Sequence, residues 1–183
     1  FFIFLTKPRG LTSQQCLTQF KKLFGSKKIG HHGTLDPFAT GLLLVGVNEA
    51  TKFFRFIDDT SKTYVATLKL GEATDTLDAT GRVTDSQSVP NLVLSDIQKS
   101  SKKFIGTRLQ TPPMFSAVKV DGKKLYELAR RGEEVEREAR EVVVSDFSVL
   151  DWKSPRITFS VTVSRGTYVR VLADEFARAL GTV

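Results

Sequence analysis

The residues best placed to do chemistry lie in one short run, Gly30-His31-His32-Gly33-Thr34-Leu35-Asp36-Pro37-Phe38-Ala39-Thr40-Gly41. It holds two histidines, one carboxylate and several residues that dictate backbone shape. Glycine permits dihedrals closed to other residues, and Pro37 restricts the residue before it to extended conformations. Asp36 is therefore expected on a stiff turn, the kind of setting in which catalytic groups are held. The same residues also suit an Asx turn in which Asp36 bonds only its own backbone. Adjacent histidines invite a metal reading, but neighbours on an extended loop point apart and no third ligand follows at a suitable spacing. No metal is expected.

The elements around this run follow from hydrophobic periodicity. Residues 2–5 read as a short buried strand, and Cys16, Leu17, Phe20, Leu23 and Phe24 predict a helix from Ser13 to Phe24, with Ser13 as N-cap and Gly25 just past the end. Gly30 to Gly41 fits neither period and is expected to be a loop. Leu42 to Val47 has strand length, and Asn48 is expected to cap a short helix carrying Phe53, Phe54 and Phe56. Tyr64, Ala66, Leu68 and Leu70 alternate along a half-buried strand, which ends at Gly71. A polar loop, Thr74-Asp75-Thr76-Leu77-Asp78, leads to a helix near Ser95, and Thr111-Pro112-Pro113 breaks any regular element.

From there to Arg140 the chain is rich in charge, with a hairpin signal at Asp121-Gly122 and a helical stretch over 123–131. Val142 to Leu150 and Arg156 to Val163 predict strands. Thr167 to Leu180 predicts a helix with Val171, Leu172, Phe176 and Leu180 inward. Strands and helices are interspersed without βαβα alternation, so the fold class is α+β: a single domain over 1–183, built on one mixed, largely antiparallel sheet flanked by helices, with a basic cleft.

Composition narrows the partners. A 183-residue chain with 40% hydrophobic and 26% charged residues can bury a real core. The formal charge of +7 favours a polyanion, although a solvated basic surface would give the same number. The excess sits early: residues 1–60 carry 8 basic and 4 acidic side chains, 61–120 carry 8 and 5, and 121–183 carry 11 of each. One cysteine, Cys16, allows no internal disulfide, and no apolar run approaches the roughly 18 residues of a membrane span. A cytoplasmic protein with no membrane association is expected.

The ordered motifs resemble one family, the TruB-type tRNA pseudouridine synthases. Lys7-Pro8-Arg9-Gly10-Leu11-Thr12-Ser13 is similar to its N-terminal motif and Gly30 to Leu43 to its catalytic motif. Lys62-x-Tyr64, Thr74-Asp75-Thr76-x-Asp78 with Gly81, Pro113-x-x-Ser116-Ala117-x-Lys119 with Gly122-x-x-Leu125-Tyr126, and Gly166-Thr167-Tyr168-x-Arg170 follow in family order.

The resemblance implies isomerisation of uridine to pseudouridine in the T stem-loop of transfer RNA, by a monomer that needs no cofactor. It assigns Asp36 the essential carboxylate, acting on C1′, on C6 or in removing a C2′ proton. Arg170 corresponds to the arginine that pairs with that carboxylate, and Tyr64 to the tyrosine that stacks on the target base. From the residues alone, Arg170 reads as a surface arginine and Tyr64 as a core tyrosine. His31 corresponds to a histidine near the flipped base, which must leave its stack to react. Asp78 and Tyr168 correspond to residues ordering the site; a turn-capping aspartate and a core tyrosine are the plainer readings. Lys7 is expected to support the loop or contact phosphate. Gly25-Ser26-Lys27-Lys28 lacks P-loop spacing and reads as RNA-backbone contact or solvated charge.

Residues 113–140 match a thumb-like insertion that clamps the RNA. The family's third motif, an apolar floor beneath the uracil, and a C-terminal RNA-binding extension are not seen by Val183. A different class, a non-catalytic RNA-binding or tRNA-folding module, would keep the basic surface without needing Asp36, Tyr64 and Arg170 together. A carboxylate glycosidase would want a second acid at a defined separation.

Overall fold

The computed structural model describes residues 1–25, 28–57 and 60–183, except for the Phe24 side chain. The chain divides into two compact units, Phe1–Asp58 and Asp59–Val183. The α+β class holds, and every strand pairing among the described residues is antiparallel; the strands fall into four sheets of three, four, two and two strands where one was expected.

In the first unit, β1 (Phe2–Lys7), β2 (Ile29–His32) and β3 (Gly41–Val47) form a sheet in the order β1-β3-β2. Lys7 stands opposite Gly41, and His31 opposite Val45. Helix α1 (Ser13–Phe24) supplies Leu17 to a core with Leu43 and Val45, against which Ile3, Leu5 and Ile29 pack. The N-cap is Thr12, not Ser13: Thr12 Oγ1 accepts from Gln15 N at 3.1 Å while Gln15 Oε1 accepts from Thr12 N at 2.8 Å, a reciprocal capping box. Gly25, with φ of 61°, ends the helix in the left-handed conformation expected of it.

Two further expectations change here. Ile29–His32 is a strand and not loop, because β3 offers it a paired edge that no local pattern reveals. Asn48 begins a 3-10 helix, Asn48–Phe56, rather than capping it. That helix crosses β3 closely at Gly46, where a Cβ would come within 2.8 Å of the Phe54 ring and 3.1 Å of Thr51 N.

In the second unit, β4 (Ser61–Lys69), β7 (Gly106–Gln110), β10 (Arg140–Lys153) and β11 (Arg156–Ser164) form the main sheet, ordered β4-β11-β10-β7. Ile157, Phe159, Val161 and Val163 alternate along β11 and are all fully buried, the period-2 pattern of a strand with one face in the core. Helices α2 (Leu94–Lys102) and α4 (Val169–Ala179) bring Ile97, Leu172 and Phe176 to the same core. Phe104, Phe147, Phe159 and Phe176 pack with ring centroids 4.9–6.4 Å apart. Each fully buried large apolar side chain contributes about 1.5–3 kcal/mol, and α4 is held to the sheet by Leu172 together with Phe176.

Short hairpins complete the unit: β5 (Glu72–Thr74) with β6 (Val83–Ser86), and β8 (Lys119–Val120) with β9 (Lys123–Lys124). The second turns at Asp121 and Gly122, with φ of 49° and 79°, as the Asp-Gly signal predicts. Regular helix in the following stretch is limited to α3 (Leu125–Ala129), shorter than the expected 123–131.

Candidate functional site

In the first unit the Asp36 loop is tied down on both sides of the carboxylate. On one side Ser13, freed from capping, donates through Oγ to Leu35 O at 3.3 Å and accepts from Leu35 N at 3.0 Å. On the other, Pro37 O accepts from Gly10 N at 2.8 Å and from Lys7 Nζ at 3.2 Å. Asp36 is half-buried between them, and its own carbonyl accepts from Ala39 N at 3.0 Å. One segment, from Lys7 to Ser13, thus holds the residues on both sides of the acid from more than 20 residues away in sequence.

Lys7 has no exposed surface. Its ammonium donates to Pro8 O at 2.9 Å, Leu11 O at 2.7 Å and Pro37 O at 3.2 Å, which occupies all three donors and leaves none for a phosphate. Burial pushes its pKa below the ordinary lysine value, and Cys16 and Asp36 oppose that shift. His31, on β2, is half-buried with Nδ1 against Gly33 O, so its ring is oriented by the same loop. His32 stacks on Phe54 at 5.2 Å. No cluster of three or more His, Cys, Asp or Glu suited to a metal occurs among the described residues.

In the second unit the structure brings Arg170, Tyr168 and the Asp78 loop together. Arg170, in the first turn of α4, is buried; its Nη1 donates to Thr76 O at 3.2 Å and its Nη2 to Phe115 O at 2.8 Å. Its guanidinium carbon lies 5.6 Å from the centroid of the Tyr168 ring. Asp78 orders the loop that presents Thr76: Asp78 Oδ1 accepts from Thr76 Oγ1 at 2.9 Å and from Thr80 N at 2.8 Å, while Thr74 Oγ1 donates to Asp78 O at 2.7 Å. The aspartate thus caps a turn, and the turn in turn presents an acceptor to Arg170. Tyr64, on β4 opposite Val161, is half-buried against the main core.

Sequence reading missed Gln110, the last residue of β7. Almost fully buried, it accepts from Tyr168 N at 2.7 Å and donates to Tyr168 O at 3.2 Å. A lone glutamine before two prolines carries no periodic signal, and its partners are backbone atoms. Ser26 and Lys27, part of the basic run after α1, lie outside the described residues.

Residues 21–169 match the TruB family pseudouridylate synthase, N terminal domain. A tRNA pseudouridine synthase B of Psychrobacter cryohalolentis is 47% identical over 186 residues, covering 99% of this chain and 52% of that protein. Another from Geobacter sulfurreducens is 47% identical over 180 residues, covering 98% of this chain and 59% of that protein. Among solved structures, a Cbf5-Nop10-Gar1 complex matches with a TM-score of 0.74 and 30% identity, covering 98% of this chain and 44% of that one. The chain spans about half the length of the curated relatives it matches.

Proposed function

The chain belongs to the TruB family of pseudouridylate synthases, and from that premise we propose that it converts uridine to pseudouridine in the T-loop of transfer RNA, with Asp36 as the essential carboxylate. The observation that carries this reading is the double tie on the Asp36 loop, through Ser13 on Leu35 and through Lys7 and Gly10 on Pro37. A carboxylate held between anchored neighbours has little freedom left to lose when substrate arrives, which favours a positioned reaction.

The reaction breaks the bond between C1′ and N1 of uracil, turns the base and joins C1′ to C5. The proton lost at C5 is balanced by one gained at N1, so no electrons enter or leave and no cofactor is needed. Asp36 can serve it by attack at C1′, by attack at C6 or by aiding removal of the C2′ proton. Tyr64 is assigned the stacking surface for the uracil and a share in proton transfer. Arg170 is assigned the role of the family's arginine that serves the essential carboxylate. His31 assists extrusion of the base, and Asp78 and Tyr168 order the segments around Arg170. The T stem-loop is held by basic surface and by the arm over 113–140, in a cytoplasmic monomer.

The test is to incubate the chain and Asp36→Asn with an unmodified T stem-loop and to score pseudouridine by chemical labelling, since the product has the substrate's mass. Product is expected from the first and none from the second, with both binding the RNA. Equal rates would remove Asp36 from the chemistry. RNA binding with no product from either would favour a non-catalytic tRNA-binding module.

A further inference from the structure

We propose that Gln110 is a positioning residue for Arg170, acting through the backbone of Tyr168. The inference rests on the assignment of Arg170 to the reaction above. Tyr168 is the N-cap of α4 and makes no side-chain cap bond; the local bonds between Thr167 and Ser164 hold the turn before it and leave the Tyr168 peptide itself to a partner from elsewhere. Gln110 takes that part from across the fold. Its amide oxygen accepts from Tyr168 N and its amide nitrogen donates to Tyr168 O, the same carbonyl that accepts from Val171 N and Leu172 N at 3.1 Å each.

A two-point contact from a planar amide fixes both the position and the tilt of the Tyr168 peptide, which a single bond could not. Arg170 follows two residues later. Its Nη2 is received by Phe115 O, five residues beyond Gln110 on the same exit from β7, so one segment grips the helix start by its backbone and the arginine by its guanidinium. With the peptide at 168 free to tilt, the guanidinium would reach the same two carbonyls in more than one pose, and a displacement of about 1 Å at a reacting group can cost on the order of a hundredfold in rate.

Four variants of the full chain test this, with the T stem-loop at saturating concentration. Gln110→Met keeps the length of the side chain and removes both bonds; kcat is expected to fall about a hundredfold with the RNA Kd within about twofold. Gln110→Glu keeps the acceptor for Tyr168 N but regains the donor to Tyr168 O only when protonated. Its kcat relative to the parent is expected to rise as pH falls. The charged groups around position 110 are Arg140, directly opposite on β10, Glu141 and Arg165, which line the adjoining cavity, and Arg170, two residues beyond Tyr168; the three arginines favour the ionised form of the introduced carboxyl and Glu141 opposes it, so the recovery is sought at the acid end of the profile.

Val144→Ala removes a fully buried core side chain from the neighbouring strand and controls for lost stability. It is expected to lower Tm without lowering kcat of the folded fraction. Wild-type kcat for Gln110→Met, or a loss matching Val144→Ala at equal Tm with no pH recovery in Gln110→Glu, overturns the proposal. Should Gln110→Met fail to fold, the pH response of Gln110→Glu decides alone. Arg170→Met separates the two layers: full activity there overturns the Arg170 assignment and this inference with it, whereas an inactive Arg170→Met beside a fully active Gln110→Met overturns only the role of Gln110.

Discussion

Lys7 Nζ and Pro37 O are joined by a 3.2 Å hydrogen bond across 30 residues of sequence, linking the end of β1 to the residue after Asp36. Lys7→Met would leave the carbonyls of Pro8 and Leu11 without this donor and Pro37 O with Gly10 N alone. A cost of about 1–3 kcal/mol is expected in urea denaturation. The pH dependence carries a sign. Burial holds the folded pKa of Lys7 below the ordinary 10.5, so the unfolded chain keeps that proton to higher pH. The contribution of Lys7 to stability therefore rises with pH from its folded pKa up to 10.5. The gap between parent and Lys7→Met should widen over that window, and parallel profiles would contradict a buried ammonium.

Gly81 touches the other half of the candidate machinery. A Cβ there would lie inside contact distance of Thr76 Oγ1 and Asp75 Oδ1 and 3.0 Å from Thr76 N. None of these is the loose end of a long side chain. Gly81→Ala must therefore move the turn whose Thr76 carbonyl receives Arg170. Overpacking of this kind costs about 1–3 kcal/mol. The expected result is a lower Tm and a kcat that falls further than RNA affinity, measured by thermal melting and single-turnover assay. A variant with the parent's kcat would show that Arg170 keeps its place without the Thr76 turn.

How legible this was depends on which atoms carry the information. The β11 alternation and the Asp121-Gly122 turn are written in side-chain type, so both are readable from the sequence. The strand at Ile29–His32 is not, because Gly30 and two histidines have little strand preference and pair only where β3 offers an edge. Glu72–Thr74, Val83–Ser86 and Gly106–Gln110 are polar enough to read as loop for the same reason. Tyr64 and Arg170 stand out only as members of a motif series, whereas Asp36 is also marked by the stiff loop around it. The groups that tie these segments down, Ser13 and Gln110 on backbone partners and the carbonyls of Thr76 and Phe115 on Arg170, each involve backbone atoms, which no side-chain pattern can announce.

The β8–β9 hairpin makes a last, opposed pair of demands. Lys119 stands directly across from Lys124, and Val120 from Lys123. Like charges in that relation destabilise an antiparallel pair by about 0.2–1 kcal/mol. Lys124 is partly accommodated, with Nζ 3.3 Å from Tyr126 Oη and 5.4 Å from the Tyr126 ring, over which Arg130 also sits at 5.4 Å. Such a concentration of cations is relieved by a polyanion. Lys119→Gln should therefore raise the stability of the free protein slightly while weakening binding of the T stem-loop. The slope of log Kd against log salt should flatten by nearly one for each lost phosphate contact. Stability and affinity moving in opposite directions is the signature of charge kept for a ligand. An unchanged salt slope would mean that Lys119 faces only water.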